Sequence, residues 1–157
     1  MTFFSFPVLL SYLSLSLSLS PLPHSHSSGF PLMAHTGAAR AAVDNLTKTL
    51  AVEWAASGVR VNSVAPGVIF SPTAAANYER VKPTLFQDAV ESIPARRCGT
   101  PEEVSAAVCW LLSPAASFVS GATLRVDAAS SLNTNGLVRV PPHENWPPPP
   151  LLDGVAL

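Results

Sequence analysis

Charged residues are scarce in this sequence, and neither sign dominates. They make up 12% of the 157 residues, with 9 basic and 10 acidic side chains and a net charge of −1. A protein that binds nucleic acid concentrates lysine and arginine on one surface, and no such concentration occurs along this chain. Hydrophobic residues nevertheless reach 48%, which is enough to bury a core. We therefore expect a globular protein with no nucleic-acid partner.

Cysteine is scarce as well. Cys98 and Cys109 are the 2 cysteines of the chain, and their separation matches neither a C-x-x-C metal pair nor a disulfide framework. Cys109 also lies in a strongly apolar stretch, where a cysteine usually packs as a small hydrophobic residue. We expect two buried thiols in a reducing compartment and no metal site.

A glycine-rich phosphate loop is absent too. The 8 glycines are scattered from Gly29 to Gly154, and no G-x-G-x-x-G motif occurs among them. In α/β proteins that bind dinucleotides, this loop and the helix N-terminus after it hold the pyrophosphate. We therefore expect the chain on its own to bind a dinucleotide weakly or not at all.

Residues 1–28 differ from the rest of the chain in composition. Leucine and serine alternate over residues 13–20, and prolines follow. No basic residue precedes Arg40, which is unlike a secretory signal, and the serines interrupt any apolar run long enough to span a membrane. Three interpretations stay open, in order of preference: a non-homologous N-terminus from alternative splicing or a misread intron, a signal-like segment, and a genuine strand.

The chain becomes regularly patterned after Gly29. Apolar residues recur every three or four positions, at Val43, Leu46, Leu50 and Trp54. This spacing predicts a helix with one inward face, and Gly58 is a suitable stop for it. The β-branched run over residues 59–65 is closed by Pro66 and Gly67, which predicts a buried strand.

A second helix and strand follow. Thr100 and Glu103 form a capping box around Pro101, which suits the first helical position. The predicted inward face consists of Val104, Ala107, Val108, Leu111 and Leu112. Pro114 ends this helix, and residues 123–127 form another strand. Helices that alternate with short strands in this way predict an α/β protein with a parallel sheet.

Four stretches, residues 35–54, 59–67, 99–104 and 121–127, resemble the active-site helix, the next strand and the closing helix and strand of the short-chain dehydrogenase/reductase family. Within that family, residues 29–146 are most similar to peroxisomal trans-2-enoyl-CoA reductases, with 2,4-dienoyl-CoA reductases next. The resemblance implies a partial Rossmann-like, doubly wound parallel sheet, its C-terminal half only, over residues 29–132. A proline-rich tail would occupy residues 133–157.

The resemblance also implies an activity, which is the NADPH-dependent reduction of trans-2-enoyl-CoA to saturated acyl-CoA. Two alternatives stay open: a catalytically inactive, truncated isoform that associates with full-length subunits, and a 2,4-dienoyl-CoA reductase. Family members commonly form homo-oligomers. A peroxisomal location is implied, although the C-terminal residues Val155, Ala156 and Leu157 keep only the leucine of a Ser-Lys-Leu address, so a cytoplasmic location also stays open.

The wider family carries a Tyr-x-x-x-Lys catalytic pair on the active-site helix. In one alignment the corresponding residues are Thr36 and Arg40, and Arg40 would bind the ribose of the cofactor. In a second alignment they are Asp44 and Lys48, and the tyrosine is replaced by an aspartate. The residue spacing alone allows a plainer interpretation, in which Arg40, Asp44 and Lys48 form an ion-pair ladder on the helix surface.

The resemblance assigns cofactor contacts to the turn after the first predicted strand. The implied contacts are Pro66, Gly67, Val68, Ile69 and Ser71. Backbone groups near Val68 and Ile69 would meet the nicotinamide amide, and Ser71 would bond the amide or a phosphate. An ordinary Pro-Gly turn explains the first two residues equally well. Tyr78 and Phe86 are candidate walls for the acyl chain, with core packing as the alternative for each.

Overall fold

The computed structural model describes residues 12–14, 34–79 and 82–133. The interpretations of residues 1–11, 15–33 and 134–157 lie outside these ranges. The regular elements are β1 (Tyr12–Ser14), α1 (Ala34–Trp54), β2 (Arg60–Pro66), α2 (Pro72–Glu79), α3 (Leu85–Ser92), α4 (Pro101–Leu112) and β3 (Thr123–Val126). Short 3-10 turns follow α1, α4 and β3.

The strands form one parallel sheet with β2 in the centre. In its register, Ser63 lies opposite Thr123. Residues 60–65 of β2 are all buried, because neighbouring strands and helices cover this strand on both edges and both faces. The prediction of a buried strand within a parallel α/β sheet is therefore confirmed.

Three residues of the N-terminal segment contribute to this sheet. β1 pairs in parallel with the beginning of β2, and Tyr12 lies opposite Arg60. A strand was the last of the three sequence interpretations for this segment, and it is the conformation that residues 12–14 adopt. The low complexity of the sequence concealed it, because pairing in a sheet needs only an extended backbone and an open neighbouring edge.

The predicted first helix is present, but its buried face is different from the predicted one. Thr47 and Ala51 are buried, whereas Leu46 and Trp54 are 46% and 38% exposed. A β-carbon built at Gly121 would lie 3.4 Å from the β-carbon of Ala51, so helix and sheet approach closely here. Small residues permit this approach, and the larger apolar residues lie on the flanks. The prediction of the inward face was wrong for Leu46 and Trp54, whereas Val43 and Leu50 are half-buried. Apolar spacing carries no information about size, so it did not identify the smaller residues at the contact.

The predicted second helix begins as expected. The side chain of Thr100 accepts from the Glu103 amide at 3.4 Å, and Glu103 accepts from the Thr100 amide at 2.9 Å, which completes the capping box. Leu111 is buried, as predicted. Leu112 and Cys109 are exposed, contrary to prediction, because they share the outer side of α4. Cys98 is buried, as predicted.

A buried arginine joins β2 to the far end of α4. Arg60 is buried, and its guanidinium donates to the Leu111 carbonyl at 2.7 Å and to the Val119 carbonyl at 3.1 Å. The last carbonyls of a helix lack partners within the helix, so this cation satisfies one of them. Ser63, three residues further along β2, hydrogen-bonds on the α1 side of the sheet. α1 and α4 therefore cover opposite faces of the sheet.

Candidate functional site

The candidate site lies at the carboxyl ends of β2 and β3, where ligands bind in open α/β sheets. The chain leaves β2 at Pro66, and the amide of Gly67 donates to the Val126 carbonyl at 2.9 Å. A β-carbon at Gly67 would lie 2.8 Å from the Cα atom of Asp127, a distance that no side chain tolerates. Glycine at this position therefore holds the loop directly against the end of β3.

The next residues of the loop are hydrogen-bonded to Gly99 along one edge. The Gly99 amide donates to the Val68 carbonyl, and the Phe70 amide donates to the Gly99 carbonyl, each at 2.9 Å. The backbone groups of successive residues in an extended segment point to opposite sides, so the amide and carbonyl of Ile69 face away from Gly99. The carboxamide of a nicotinamide ring has one acceptor and one donor group, so the Ile69 amide and carbonyl are complementary to it. Val68, by contrast, is buried in the core.

Ser71 has a structural role at the end of this loop. Its Oγ accepts from the Ala74 amide at 3.1 Å, and its carbonyl accepts from the Ala75 amide at 2.9 Å. Ser71 therefore caps the N-terminus of α2. Because the hydroxyl acts as an acceptor in this contact, its proton stays available for donation to a ligand. The predicted cofactor contact is compatible with the cap and stays a prediction.

Arg40 and Thr36 extend along α1 toward the same edge of the sheet. Ala51 packs near Gly121, before β3, and Asp44 bonds Thr123 within β3, so α1 runs antiparallel to the strands. Each helical turn advances about 5.4 Å, which places Arg40 one turn, and Thr36 two turns, beyond Asp44 toward the carboxyl ends. Both residues are half-buried.

The surroundings of Arg40 include a phenol from a different helix. Burial lowers the pKa of the Arg40 guanidinium from its ordinary value, and the opposing influence comes from Tyr78 of α2. Arg40 and Tyr78 are therefore within electrostatic reach of each other. No signal in the sequence connects the two residues, because they share no motif.

Asp44 and Lys48 lie further from this edge. Lys48 Nζ is 2.6 Å from Asp44 Oδ2, which is one half of the predicted ion-pair ladder. The other oxygen of Asp44 accepts from the Thr123 hydroxyl at 2.7 Å, and Thr123 is also 2.7 Å from the Ser63 hydroxyl. Asp44 thus connects α1 to both β2 and β3. The geometry favours a structural role for Asp44, and a catalytic role for Asp44 or Lys48 stays a prediction.

Tyr78 and Phe86 belong to an apolar cluster beside the loop. Its buried members are Val68, Phe86, Ile93 and Cys98, and Tyr78 and Phe70 pack against them. The Phe70 and Phe86 rings meet edge to face with centroids 5.2 Å apart. Burial raises the pKa of the Cys98 thiol, which keeps it neutral. Phe86 is a core residue, whereas the half-buried Tyr78 is at the margin of the cluster.

A cavity of about 380 Å³ lies against the loop on the side of Gly99. Charged and hydroxyl side chains that line it are Arg97, Glu103, Arg125, Asp127 and Ser130. Sequence reasoning missed this cavity because its residues come from separate segments that no motif connects. The adjoining turn also places Ala128 and Ala129 at φ 49° and 63°, a backbone region that favours glycine.

The residues that the structure describes contain no group of three or more histidine, cysteine, aspartate or glutamate side chains able to hold a metal ion. None of the described helices has the length and apolar character needed to cross a membrane.

Comparison with known proteins identifies the family. Residues 23–129 match the family described as Enoyl-(Acyl carrier protein) reductase. A short-chain dehydrogenase/reductase family oxidoreductase from Burkholderia thailandensis superposes with a TM-score of 0.60 at 34% identity, covering 66% of this chain and 40% of that one. The chain belongs to the short-chain dehydrogenase/reductase family. The Rossmann-like fold predicted from the resemblance is thereby confirmed, and the family uses a nicotinamide dinucleotide, NAD or NADP.

The relatives differ in their substrates. The chain is 48% identical over 90 residues to galactitol 2-dehydrogenase (L-tagatose-forming) of Cereibacter sphaeroides, a match covering 57% of this chain and 35% of the relative. It is 39% identical over 121 residues to peroxisomal 2,4-dienoyl-CoA reductase of Mus musculus, covering 75% and 40%. The chain thus spans well under half the length of these relatives. Family membership establishes an oxidoreductase fold and leaves the choice of substrate to further argument.

Proposed function

We propose that this chain forms the nicotinamide-binding and acyl-binding side of an NADPH-dependent reductase that acts on the carbon–carbon double bond of trans-2-enoyl-CoA. The observation that supports this reaction is the set of side chains on α1. Thr36, Arg40, Asp44 and Lys48 occupy successive turns of that helix, and none is a tyrosine. Reduction of a carbonyl must deliver a proton to oxygen. Reduction of a carbon–carbon double bond delivers it to carbon, and the thioester oxygen needs only a hydrogen bond.

The residues at the loop suit such a cofactor and substrate. When bound, NADPH supplies the hydride for the β-carbon of the enoyl group. The backbone amide and carbonyl of Ile69 would orient the nicotinamide carboxamide, and Arg40 would bond the ribose hydroxyls with its planar guanidinium. The apolar cluster beside the loop, with Phe70 and Tyr78 at its margin, would exclude water from the acyl chain. NADPH is proposed over NADH from the similarity to enoyl-CoA reductases.

A direct assay tests the proposal. The purified chain is mixed with trans-2-decenoyl-CoA and either NADPH or NADH, and cofactor oxidation is followed by absorbance. Because the chain carries no glycine-rich phosphate loop, we expect turnover only at high NADPH concentration. We also expect a decrease of about 10²-fold in kcat/KM in Arg40→Gln, because a charged positioning contact is lost. Lys82→Gln is the matched control, since Lys82 pairs with Asp88 on the exposed surface. Equal rates in both variants would contradict the role of Arg40.

Reduction of 2,4-dienoyl-CoA is the second candidate. Its support is the mouse relative and a Danio rerio relative of the same name, which is 42% identical over 108 residues and covers 68% of this chain. The two substrates share the thioester oxygen and differ in the carbon that receives the hydride. Mass spectrometry of the products from a 2-enoyl and a 2,4-dienoyl thioester under the same conditions distinguishes the two reactions.

An inactive isoform that associates with longer subunits is the third candidate. An ionised Asp44 cannot donate a hydrogen bond to an enolate, and α1 exposes the large apolar residues Leu46, Val52 and Trp54, which are suited to contact with another subunit. Absence of turnover, together with co-purification on a full-length relative, would select this candidate.

We also propose a peroxisomal location, which a fluorescent fusion at the N-terminus, leaving Leu157 free, would test.

A further inference from the structure

We propose that the cavity beside Gly99 binds a short-chain carboxylic acid, whose carboxylate is held by Arg125 and Ser130. The cavity lies on the Gly99 side of the loop. The amide and carbonyl of Ile69, which suit a nicotinamide, face the other side. This site is therefore separate from the proposed cofactor contact, and it does not depend on the proposed reductase function.

The side chain of Ser130 is the first observation that points to a ligand. It lines the cavity and is buried, with 2% of its surface exposed. Among the residues that the structure describes, its hydroxyl has no hydrogen-bond partner. Buried hydroxyls are nearly always hydrogen-bonded, because a buried hydroxyl without a partner has lost its bonds to water. A polar ligand atom in the cavity would supply the partner.

The charges around the cavity leave one cation that is not paired. The Glu103 carboxylate accepts from both terminal nitrogens of Arg97, at 2.9 and 2.6 Å, so these two residues neutralise each other. The Asp127 carboxylate accepts from two backbone amides of the following turn, each at 3.1 Å, which stabilise its charge. Within the described ranges, Arg125 forms no ion pair. The cavity therefore favours a ligand with one negative charge.

Arg125 is held next to the buried hydroxyl. Its Nη1 donates to the Ser131 hydroxyl at 3.4 Å, a long bond that leaves the other N–H groups of the guanidinium available. Ser131 follows Ser130 directly, so the cation and the buried hydroxyl lie at the same end of the cavity. A carboxylate has two oxygens, one for each of these donors.

The groups that remain available at the cavity are mainly donors. Two carbonyls that border it, those of Val68 and Val126, already accept from backbone amides at 2.9 Å. The guanidinium of Arg125 has no acceptor atom, and the hydroxyl of Ser130 can donate. A planar guanidinium also matches the two oxygens of a carboxylate in geometry. The ligand group is therefore an acceptor with negative charge.

The rest of the cavity has apolar walls. Ile69, Ile93 and Val126 line it, and its volume is about 380 Å³. Small-molecule sites usually have volumes of about 300 to 1,000 Å³. A short hydrocarbon chain suits these walls, because its burial removes apolar surface from water. Free phosphate offers similar oxygens but has no apolar part, so a short-chain carboxylic acid is the better match.

A titration of the whole ¹⁵N-labelled chain with sodium butyrate tests the proposal. The amide chemical shifts of Gly99 and Ala129, which line the cavity, report on binding. We expect saturable shifts with butyrate. Butyramide has the same hydrocarbon chain and no charge, so it should bind about 10-fold more weakly. Inorganic phosphate should also bind more weakly than butyrate.

Two variants test the assigned groups. Ser130→Ala should weaken butyrate binding about 10-fold, since a hydrogen bond to a carboxylate is lost. Without ligand, its melting temperature should not fall, because the hydroxyl has no partner among the described residues. Arg125→Gln should weaken binding about 5-fold, since this guanidinium is exposed to solvent. Arg96→Gln removes the same charge from an exposed arginine outside the cavity, so this control should bind butyrate as the unmodified chain does.

Three results would overturn the proposal. One is equal affinity for butyrate and butyramide, or unchanged binding in both Ser130→Ala and Arg125→Gln. Another is tighter binding of phosphate, which would assign the cavity to a free oxyanion. The third is the absence of saturable shifts with every probe, which would assign the Ser130 hydroxyl to a bound water. None of these results bears on the reductase assay, because neither Arg125 nor Ser130 belongs to the proposed reductase site.

Discussion

The carboxylate of Glu103 offers a quantitative test of how α4 is held. Its Oε2 accepts from the Thr100 amide and from Arg97 Nη1, each at 2.9 Å, and its Oε1 accepts from Arg97 Nη2 at 2.6 Å. The side chains of Arg97 and Glu103 are 38% and 30% exposed, so solvent screens the ion pair and its contribution is about 0.5 kcal/mol. The capping contact adds about 1 kcal/mol.

Two substitutions separate these contributions. Glu103→Gln retains an acceptor for the Thr100 amide and loses the charge, so we expect a decrease in the free energy of unfolding of about 0.5 kcal/mol at neutral pH. Glu103→Ala loses the cap as well, for a total of about 1.5 kcal/mol. Urea unfolding followed by tryptophan fluorescence measures both values. Glu102→Gln, an exposed neighbour in the same first turn of α4, removes the same charge and serves as the control.

The effect should also depend on pH. Hydrogen bonding from Arg97 is the main cause that lowers the pKa of Glu103 in the folded chain. The stabilisation is therefore complete above the unfolded-state pKa of about 4.3 and is lost as the pH falls through the lower, folded-state pKa. The difference between the unmodified chain and Glu103→Gln should shrink as the pH falls below about 4.3 and should be absent once the pH is below the folded-state pKa. A difference that persists there, or Glu102→Gln equal to Glu103→Gln at neutral pH, would refute the reasoning.

Three further predictions concern the turn after β3, the α1–sheet contact and the loop. Ala129→Gly should raise the free energy of unfolding by about 1 kcal/mol, because φ is 63° at this position and glycine adopts that conformation without strain. Ala106→Gly, within α4, should lower the free energy of unfolding by about 1 kcal/mol. Thermal denaturation of the two variants measures both changes. Asp44→Ala should lower the free energy of unfolding, measured by urea denaturation, by about 1 to 3 kcal/mol, since it removes the hydrogen bond from Thr123 at the helix–sheet contact. A decrease no larger than that for an exposed acidic residue would contradict it. Gly67→Ala should lower stability by more than about 2 kcal/mol, because its β-carbon meets the end of β3, and unchanged melting would exclude that contact.

Much of the fold followed from the sequence because its signals are local. The capping box of α4 lies within four consecutive residues, and the β-branched run of β2 is bounded by turn residues on both sides. Such patterns specify hydrogen bonds between near neighbours, so they predict an element without knowledge of its surroundings. The order of the elements then carried the resemblance to the family.

The tertiary structure alone decided which surfaces meet. Apolar spacing placed Leu46 and Trp54 inward on α1, but the close approach at Gly121 selected the smaller Ala51 and Thr47. Cys109 is exposed for a related reason. Its burial depends on which side of α4 it occupies relative to the sheet, and the apolar character of the neighbouring residues in the sequence does not reveal that side.

The candidate site depends most on long-range contacts. Asp44 accepts a hydrogen bond from Thr123, a residue 79 positions away, and Arg40 lies within electrostatic reach of Tyr78 of another helix. The sequence by itself determined α1, α4, β2, β3 and the family motifs, because each of these is encoded by a local pattern. Only the packing of α1 and α2 around the ends of β2 and β3 brought a cation, a phenol and a backbone donor–acceptor pair to one edge, because contacts between distant segments leave no periodic signal.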